Sequence, residues 1–225
     1  MATILIVVAH TDDEVFGMAG TLARHVSFGD EVYAISMTDG VSSRLNSNHE
    51  FEISRRKACS EAAASLLGFK WLAQGMFRDN SLDGYELLEI IQFIESATKN
   101  ICPDIIYTHS GADLNVDHRL VNQACLTAFR FRANVSYCQI RTFEVLSSTD
   151  LRFNQSCDHF SPNHFVDITE FWNKKIEAIN CYVDEIQPLP ESRNVETLKA
   201  LCRIRGGSVG LLLAEAFQIV LSVER

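Results

Sequence analysis

Two stretches of the 225-residue chain carry histidines and acids in a density that could do chemistry. His10 is followed by Asp12, Asp13 and Glu14, and His109 is followed by Asp113, Asp117 and His118. Adjacent carboxylates repel one another unless a cation or the positive end of a helix offsets them. A divalent metal would supply that cation. His10 and Asp13 are three apart where an apolar run gives way to a helical pattern, so both side chains can turn toward one point. His118, from a neighbouring loop, is the natural third ligand. Two imidazoles and a carboxylate leave a position open for water, which is the pattern of catalytic zinc sites. The plainer alternative is that residues 12–14 complement a helix dipole and that His118 is a surface or capping residue. That alternative leaves His10, directly after an apolar run, without an account.

The elements that must position these groups follow from periodicity. Thr3 to Val8 is a continuous apolar, β-branched run, expected for a strand buried on both faces. The spacing then turns helical from Asp13 to Ser27, with Val15, Met18, Ala19, Leu22 and Val26 on one stripe. A second strand is expected over Glu31–Thr38 and a helix over Phe51–Leu67, ended by Gly68 as a C-cap. A short strand at Phe69–Leu72 and a helix from about Gly84 to Lys99 follow. Next come a strand at Asp104–Thr108 and a helix from about His118 to Arg130. Gln139 to Leu146 reads as another strand and Ile168 to Tyr182 as a helix with Trp172, Ile176 and Ile179 inward. Pro188 and Pro190 interrupt the chain before a helix at Val195–Arg205. Gly206, Gly207 and Gly210 then make a turn before a last segment, Leu211–Val223.

Strand alternating with helix predicts a single-domain α/β fold over residues 1–225. Its sheet would be mostly parallel, doubly wound and Rossmann-like, with helices on both faces. Ligands in such sheets bind beyond the carboxyl ends of the strands. Four polar clusters fall there: His10–Glu14, Thr38-Asp39-Gly40, Arg78-Asp79-Asn80, and His109–His118.

Composition narrows the partners. Apolar residues make up 47% and charged residues 22%, an ordinary globular balance. Twenty Lys and Arg against 29 Asp and Glu give a formal charge of −9, which does not suit a nucleic-acid backbone. No stretch approaches the ~20 apolar residues of a membrane span. The apolar start lacks the basic flank and cleavage pattern of a signal peptide. Seven scattered cysteines without a C-x-x-C pair suit a reducing cytoplasm.

The stretch Ala9-His10-Thr11-Asp12-Asp13-Glu14 resembles the A-H-P-D-D-E motif of the PIG-L-type (LmbE-like) zinc-dependent N-deacetylases. Thr108 to Arg119 resembles their second motif and follows the branch that reads Asp-Leu-Asn-x-Asp-His. Supporting similarities run through Arg56, Ala62, Ala63, Leu67-Gly68, Asp79, Phe143–Ser148 and Ala214–Phe217. The resemblance implies that His10, Asp13 and His118 bind Zn2+ and that Asp12 is the general base. Asp117 would orient an imidazole from behind the metal. Arg56 and Asp79 would contact sugar hydroxyls, although Arg56 could equally be a solvated helix cation. Arg44 could meet a phosphate or stay in solvent. Glu215 falls in the final motif without an evident role.

Two departures stand out. Thr11 replaces the usual proline. Asn115 stands where many members carry a histidine that stabilises the oxyanion; an amide can donate a hydrogen bond but cannot deliver a proton. His109 is a candidate to take over that task. The expected activity is removal of an N-acetyl group from a small-molecule amino sugar, either nucleotide-activated or part of a glycan precursor. The same metal chemistry would serve an amidase on a non-sugar conjugate, and a catalytically degenerate sugar- or nucleotide-binding member is a further alternative. Against a plain nucleotide-binding module, no G-x-G-x-x-G follows the first strand. The family resemblance allows a homo-oligomer, though no self-complementary surface can be read from the sequence.

Overall fold

The apolar run at the start of the chain becomes the centre of a sheet. The computed structural model describes residues 1–44, 48–130, 139–152 and 159–223. Among these, seven strands form one sheet: β1 (Thr3–Val8), β2 (Glu31–Thr38), β3 (Lys70–Phe77), β4 (Ile105–His109), β5 (Gln139–Phe143), β6 (His164–Asp167) and β7 (Ala214–Leu221). Their order is β3-β2-β1-β4-β5-β7-β6. β3 to β5 are mutually parallel, while β7 runs antiparallel to both β5 and β6. The parallel part has the order 3-2-1-4-5 of a doubly wound sheet, with its switch point between β1 and β4.

Six helices complete the described fold: α1 (Asp13–Ser27), α2 (His49–Leu67), α3 (Leu87–Ala97), α4 (Val116–Ala128), α5 (Trp172–Ile179) and α6 (Val195–Gly207). Alternation along β1 divides the core. Ile4, Ile6 and Val8 pack with Leu22, Leu67, Ile179 and Leu198 on one face. Leu5, Val7 and Ala9 pack with Ile90, Ile94 and Val121 on the other. Full burial of each large aliphatic side chain is worth roughly 1.5–3 kcal/mol, so both faces of the strand contribute.

Several boundaries differ from the sequence expectation. β3 extends to Phe77 instead of ending at Leu72, because register shifts against β2 carry it past Gln74 and Gly75. β5 ends at Phe143, and a turn replaces the expected strand residues up to Leu146. The third helix starts at Leu87, after a 3-10 turn at Leu82–Gly84. α4 starts at Val116, two residues ahead of His118, so Asp117 and His118 both lie in its first turn. The regular part of α5 is confined to Trp172–Ile179 and is flanked by 3-10 turns. β6 lies in a stretch with no strand expectation. The α2 cap is as expected: Gly68 adopts φ 83° and its N–H donates to the Ala64 carbonyl.

α1 is not a regular helix. Met18 (φ −149°, ψ 21°) kinks it and breaks the ladder. Lys175 Nζ donates to the Phe16 carbonyl left over on one side (2.8 Å), and Glu215 accepts the freed N–H groups of Gly20 (3.0 Å) and Thr21 (2.6 Å) on the other. Lys175 and Glu215 also pair directly at 2.6 Å, both buried. A Cβ at Gly17 would lie 2.5 Å from the Phe143 ring, so glycine lets the kinked segment approach the sheet. This gives Glu215 a role: it is an N-cap supplied from another element.

Candidate active site

The carboxyl ends of β1 and β4 deliver the two histidine-bearing stretches to one place. His10 leaves β1 and Asp12 opens α1 as its N-cap in a backbone conformation (φ 155°, ψ −25°) outside the ordinary allowed regions. The Asp12 carbonyl accepts the N–H groups of Val15 and Phe16, and its own N–H donates to Glu14 Oε2 (3.0 Å), so the turn is over-determined. Strain of this kind costs about 1–3 kcal/mol and collects where a side chain must be aimed. Here it aims Asp12 into a cavity of about 570 Å³. That volume suits a small organic ligand.

Beneath Asp12, donor atoms converge. Asp13 Oδ2 lies 3.2 Å from His10 Nδ1 and 3.4 Å from His118 Nε2, and the two histidine nitrogens are 3.3 Å apart. All three residues are buried, and Asp13 Oδ1 has no hydrogen-bond partner. Two nitrogens and a carboxylate oxygen within 4.8 Å of one another fit the donor set of a divalent metal such as zinc. A second convergence, of His10 Nε2 with Asp79 and Asp117, lies on the far side of the same ring.

Acids grip each imidazole from behind. His10 Nε2 faces Asp79 Oδ1 (3.0 Å) and Asp117 Oδ2 (3.3 Å). Asp117 is itself fixed, accepting the N–H groups of Asn80 (2.8 Å) and Leu82 (3.0 Å). His118 Nδ1 faces Asp113 Oδ2 at 3.1 Å, and Asp113 is held by the hydroxyls of Ser148 and Thr149. Burial alone would disfavour both imidazolium ions. The surrounding carboxylates outweigh it, holding His10 well above its ordinary value and raising His118 to about 9. Burial would likewise raise Asp13, but His118, His109 and His10 hold it well below the usual carboxylate range. In Glu14, burial and the neighbouring Asp12 act in the same direction and push the carboxyl up to about 8, so it is neutral at pH 7.

Asp12 is held between two arginines. Arg56 NH2 lies 3.0 Å from Asp12 Oδ1, and Arg193 NH1 3.0 Å from Oδ2. Arg56 is largely buried, with Nε on Thr11 Oγ1 (3.2 Å) and NH1 on Glu185 Oε1 (2.7 Å). Gly40 makes room for it: a Cβ there would stand 2.5 Å from Arg56 Nε. Arg44, at the rim, pairs with the same Glu185 at 2.5 Å.

The residues singled out from sequence therefore fall as follows. His10, Asp12, Asp13, Asp79, Asp117 and His118 lie together, and Arg44, Arg56 and Asn115 join them around the cavity. Asp79 is turned to His10 and the Ser43 hydroxyl, while Arg56 is turned to Asp12, so both bear on the site's own groups. Asn115 caps α4 through Oδ1 on Asp117 N (2.8 Å) and donates its amide to Asn80 Oδ1 (3.0 Å). His109 lies behind these residues, with Nε2 3.3 Å from Asp13 Oδ2. It is fully buried, stacks on His118 with ring centroids 3.9 Å apart, and accepts the Ala9 N–H through Nε2 (2.9 Å). Burial, followed by the His118 charge, depresses it to about 4. It does not border the cavity.

Sequence reasoning missed Asp113 as a partner of His118, and it missed Glu185 and Arg193. The signal for Asp113 was present, since it opens the Asp-Leu-Asn-Val-Asp-His stretch. Glu185 and Arg193 carried none, being brought in from the end of a 3-10 turn and from the loop before α6.

Comparison with known proteins gives relatives in both sequence and fold. A curated relative, the probable N-acetyl-alpha-D-glucosaminyl L-malate deacetylase 2 of Bacillus anthracis, is 22% identical over 188 residues, covering 81% of this chain and 80% of its own. The N,N'-diacetylchitobiose deacetylase of Pyrococcus horikoshii superposes with a TM-score of 0.77 at 22% identity, over 97% of this chain and 84% of its own. The 4-carboxy-2-hydroxymuconate hydratase of Pseudomonas putida KT2440 superposes with a TM-score of 0.74 at 21% identity, over 100% of this chain and 98% of its own. These likenesses establish a shared fold that hosts more than one reaction. The sequence model of the family described as PIG-L, GlcNAc-PI de-N-acetylase, matches residues 5–129, more than half of the chain and the part that contributes both histidine-bearing stretches, and the chain belongs to that family.

Proposed function

We propose that the protein is a zinc-dependent N-deacetylase that hydrolyses the acetamide of a small N-acetylated amino sugar. The observation that carries this reading is the convergence of His10 Nδ1, His118 Nε2 and the Asp13 carboxylate beside Asp12, at a cavity of about 570 Å³. His10, Asp13 and His118 would hold the metal. Zinc bound there would polarise the acetamide carbonyl and lower the pKa of water toward ~7. Asp12, at the cavity wall, takes the proton of the attacking water and later hands it to the leaving amine. Asp117 and Asp79 fix the ring of His10, and Asp113 fixes that of His118, so each imidazole is locked in one orientation. Asn115 holds the start of α4 and with it His118. Arg56 keeps Asp12 aimed. Arg44 and Asp79, which line the cavity, are assigned to substrate hydroxyls or an anionic substituent.

The relatives support the sugar: one is named for a glucosaminyl malate and another for diacetylchitobiose. Glu185 and Arg193 lie beyond the residues matched by the family model yet border the same cavity, which supports reading residues 1–225 as one domain. No helix among the described residues is long and apolar enough to cross a membrane. Among the described residues, Cys59, Cys102, Cys181 and Cys202 form no disulfide.

The test is a substrate panel read by acetate and free amine: N-acetylglucosamine, its nucleotide-activated form, an N-acetylated disaccharide and N-acetyl amides without a sugar. Equal release of acetate and amine from a sugar is the expected result. Turnover confined to non-sugar amides would replace the reading by a general amidase. No release from any of them, with metal bound, would leave a binding member or the water-adding chemistry that the same fold hosts.

A further inference from the structure

We propose that Arg193 is a further catalytic residue, the cationic donor that stabilises the tetrahedral oxyanion; this rests on the deacetylase reading above. Such a donor would act beside the metal, and of the two groups suggested by sequence His109 does not border the cavity and Asn115 is a neutral amide. His109 is walled off behind His118, and Asn115 gives one of its two amide N–H groups to Asn80 while its oxygen caps α4. Arg56 has all three of its nitrogens engaged, on Thr11, Glu185 and Asp12.

Arg193 differs from Arg56 in what it leaves open. NH1 pairs with Asp12 Oδ2 at 3.0 Å, NH2 stands 3.9 Å from the otherwise unpartnered Asp13 Oδ1, and Nε is buried without a hydrogen-bond partner. NH1 also stands 3.9 Å from Glu185 Oε2, so of the five guanidinium N–H donors those on NH2 are the ones left for a ligand. Its place is fixed on three sides. The guanidinium carbon lies 4.5 Å from the Phe16 ring centroid, Gln187 N–H donates to the Arg193 carbonyl (2.9 Å), and Asn194 Nδ2 donates to the Gln187 carbonyl (2.8 Å). These two bonds close the neck of the 187–194 loop and hold Arg193 over the cavity.

The charge movement during hydrolysis explains why the group should sit on the base. When water attacks, its O–H bond breaks, the proton goes to Asp12, the new C–O bond forms, and the carbonyl π pair moves onto oxygen. Negative charge therefore leaves Asp12 as it appears on the acetamide oxygen, a short distance away. A cation beside both places is paired with Asp12 in the ground state and with the acetamide oxygen in the transition state. That is the differential interaction catalysis requires. Collapse then breaks the C–N bond, and the proton returns from Asp12 to the leaving amine.

The test compares wild type, Arg193→Met, Arg193→Lys and Arg193→Ala in the metal-loaded enzyme. Loss of one oxyanion donor lowers kcat by ~10²–10³-fold, so Arg193→Met should fall in that range with KM little changed. Its affinity for a methylphosphonamidate of glucosamine, tetrahedral and anionic at phosphorus, should fall in parallel, while affinity for glucosamine and metal content hold. Added methylguanidine should restore part of the activity of Arg193→Ala. Arg193→Met turning over at the wild-type rate, or losing glucosamine, phosphonamidate and metal together without rescue, would overturn the assignment. A wild-type enzyme that releases no acetate from any N-acetyl sugar would instead remove the deacetylase reading itself.

Discussion

Two buried clusters of charge share helix α1 and behave differently. At its start, Asp12, Asp13, His10, His118, Arg56 and Arg193 crowd together beside a cavity, and Asp12 Oδ1, Asp13 Oδ1 and Arg193 Nε are left without hydrogen bonds. At the Met18 kink, Lys175 and Glu215 face each other with every charged atom engaged, and the space around them is about 20 Å³. Both are buried ionic networks near the same backbone. The first leaves valence open toward a ligand; the second closes it on the helix. Burial and charge alone do not mark a site, since unsatisfied atoms beside space are what separate these two.

Substitution should divide the clusters the same way. The largest effect on chemistry is expected for Asp12→Asn, which removes the proposed base while keeping its shape. Its kcat should fall by ~10²–10⁴-fold with metal content unchanged. If Asp12→Asn instead unfolds readily and keeps its turnover, the two clusters have been assigned the wrong way round.

The kink pair should show the converse. Lys175→Met strands a buried carboxylate and should cost about 3–5 kcal/mol in denaturant unfolding. Adding Glu215→Gln should recover part of that loss, since the stranded charge is then gone while the single amide oxygen still accepts from one of Gly20 and Thr21. Folded Lys175→Met should keep kcat near wild type. A large loss of kcat with unchanged stability would tie the kink directly to catalysis.

A smaller effect is expected one layer behind the proposed ligands. Asp117→Asn weakens the grip on His10 and should lower metal affinity by roughly 10–100-fold, measured by chelator competition. Asp113→Asn, behind His118, should act alike, because each carboxylate supports one imidazole. Equal metal affinity in both variants and wild type would reduce these acids to packing.

The smallest effect lies away from both clusters. Burial, with the positive Arg141 next, lowers His164 to about 4. The unfolded chain takes up this proton near its ordinary value, about 6.5. Stability from this group is therefore present above about pH 6.5 and declines as pH falls toward 4. Urea midpoints of His164→Gln should decline less over that range than those of wild type. The same decline in both would exclude the group.

What could be read from sequence follows the range over which the physics acts. β1 was legible because a strand buried on both faces is apolar at every position, and the end of α2 because Gly68 must adopt a positive φ. His10, Asp13 and His118 were legible as a set because the parallel topology places strand ends side by side. β6 was not, being four residues long with His164 and Asp167 at its ends. The kink in α1 left no proline to mark it; its partners are Lys175 and Glu215, distant residues whose charge in a sequence reads as surface. Arg193 was hidden for the same reason, since its meaning comes from where the 187–194 loop closes. The surroundings of His109 were not legible either, since its position at the end of β4 does not reveal the His118 ring stacked on it.

The claim on which the account turns is that His10, Asp13 and His118 form a catalytic metal centre. Elemental analysis of wild type and Asp13→Ala, paired with acetate release from an N-acetylglucosamine derivative, tests it most directly. The expected result is about one zinc per wild-type chain, as a mononuclear site requires, with metal and acetate release both lost in Asp13→Ala while the fold persists. Wild-type protein that takes up no metal on adding zinc, or Asp13→Ala that keeps both metal and turnover, would contradict it.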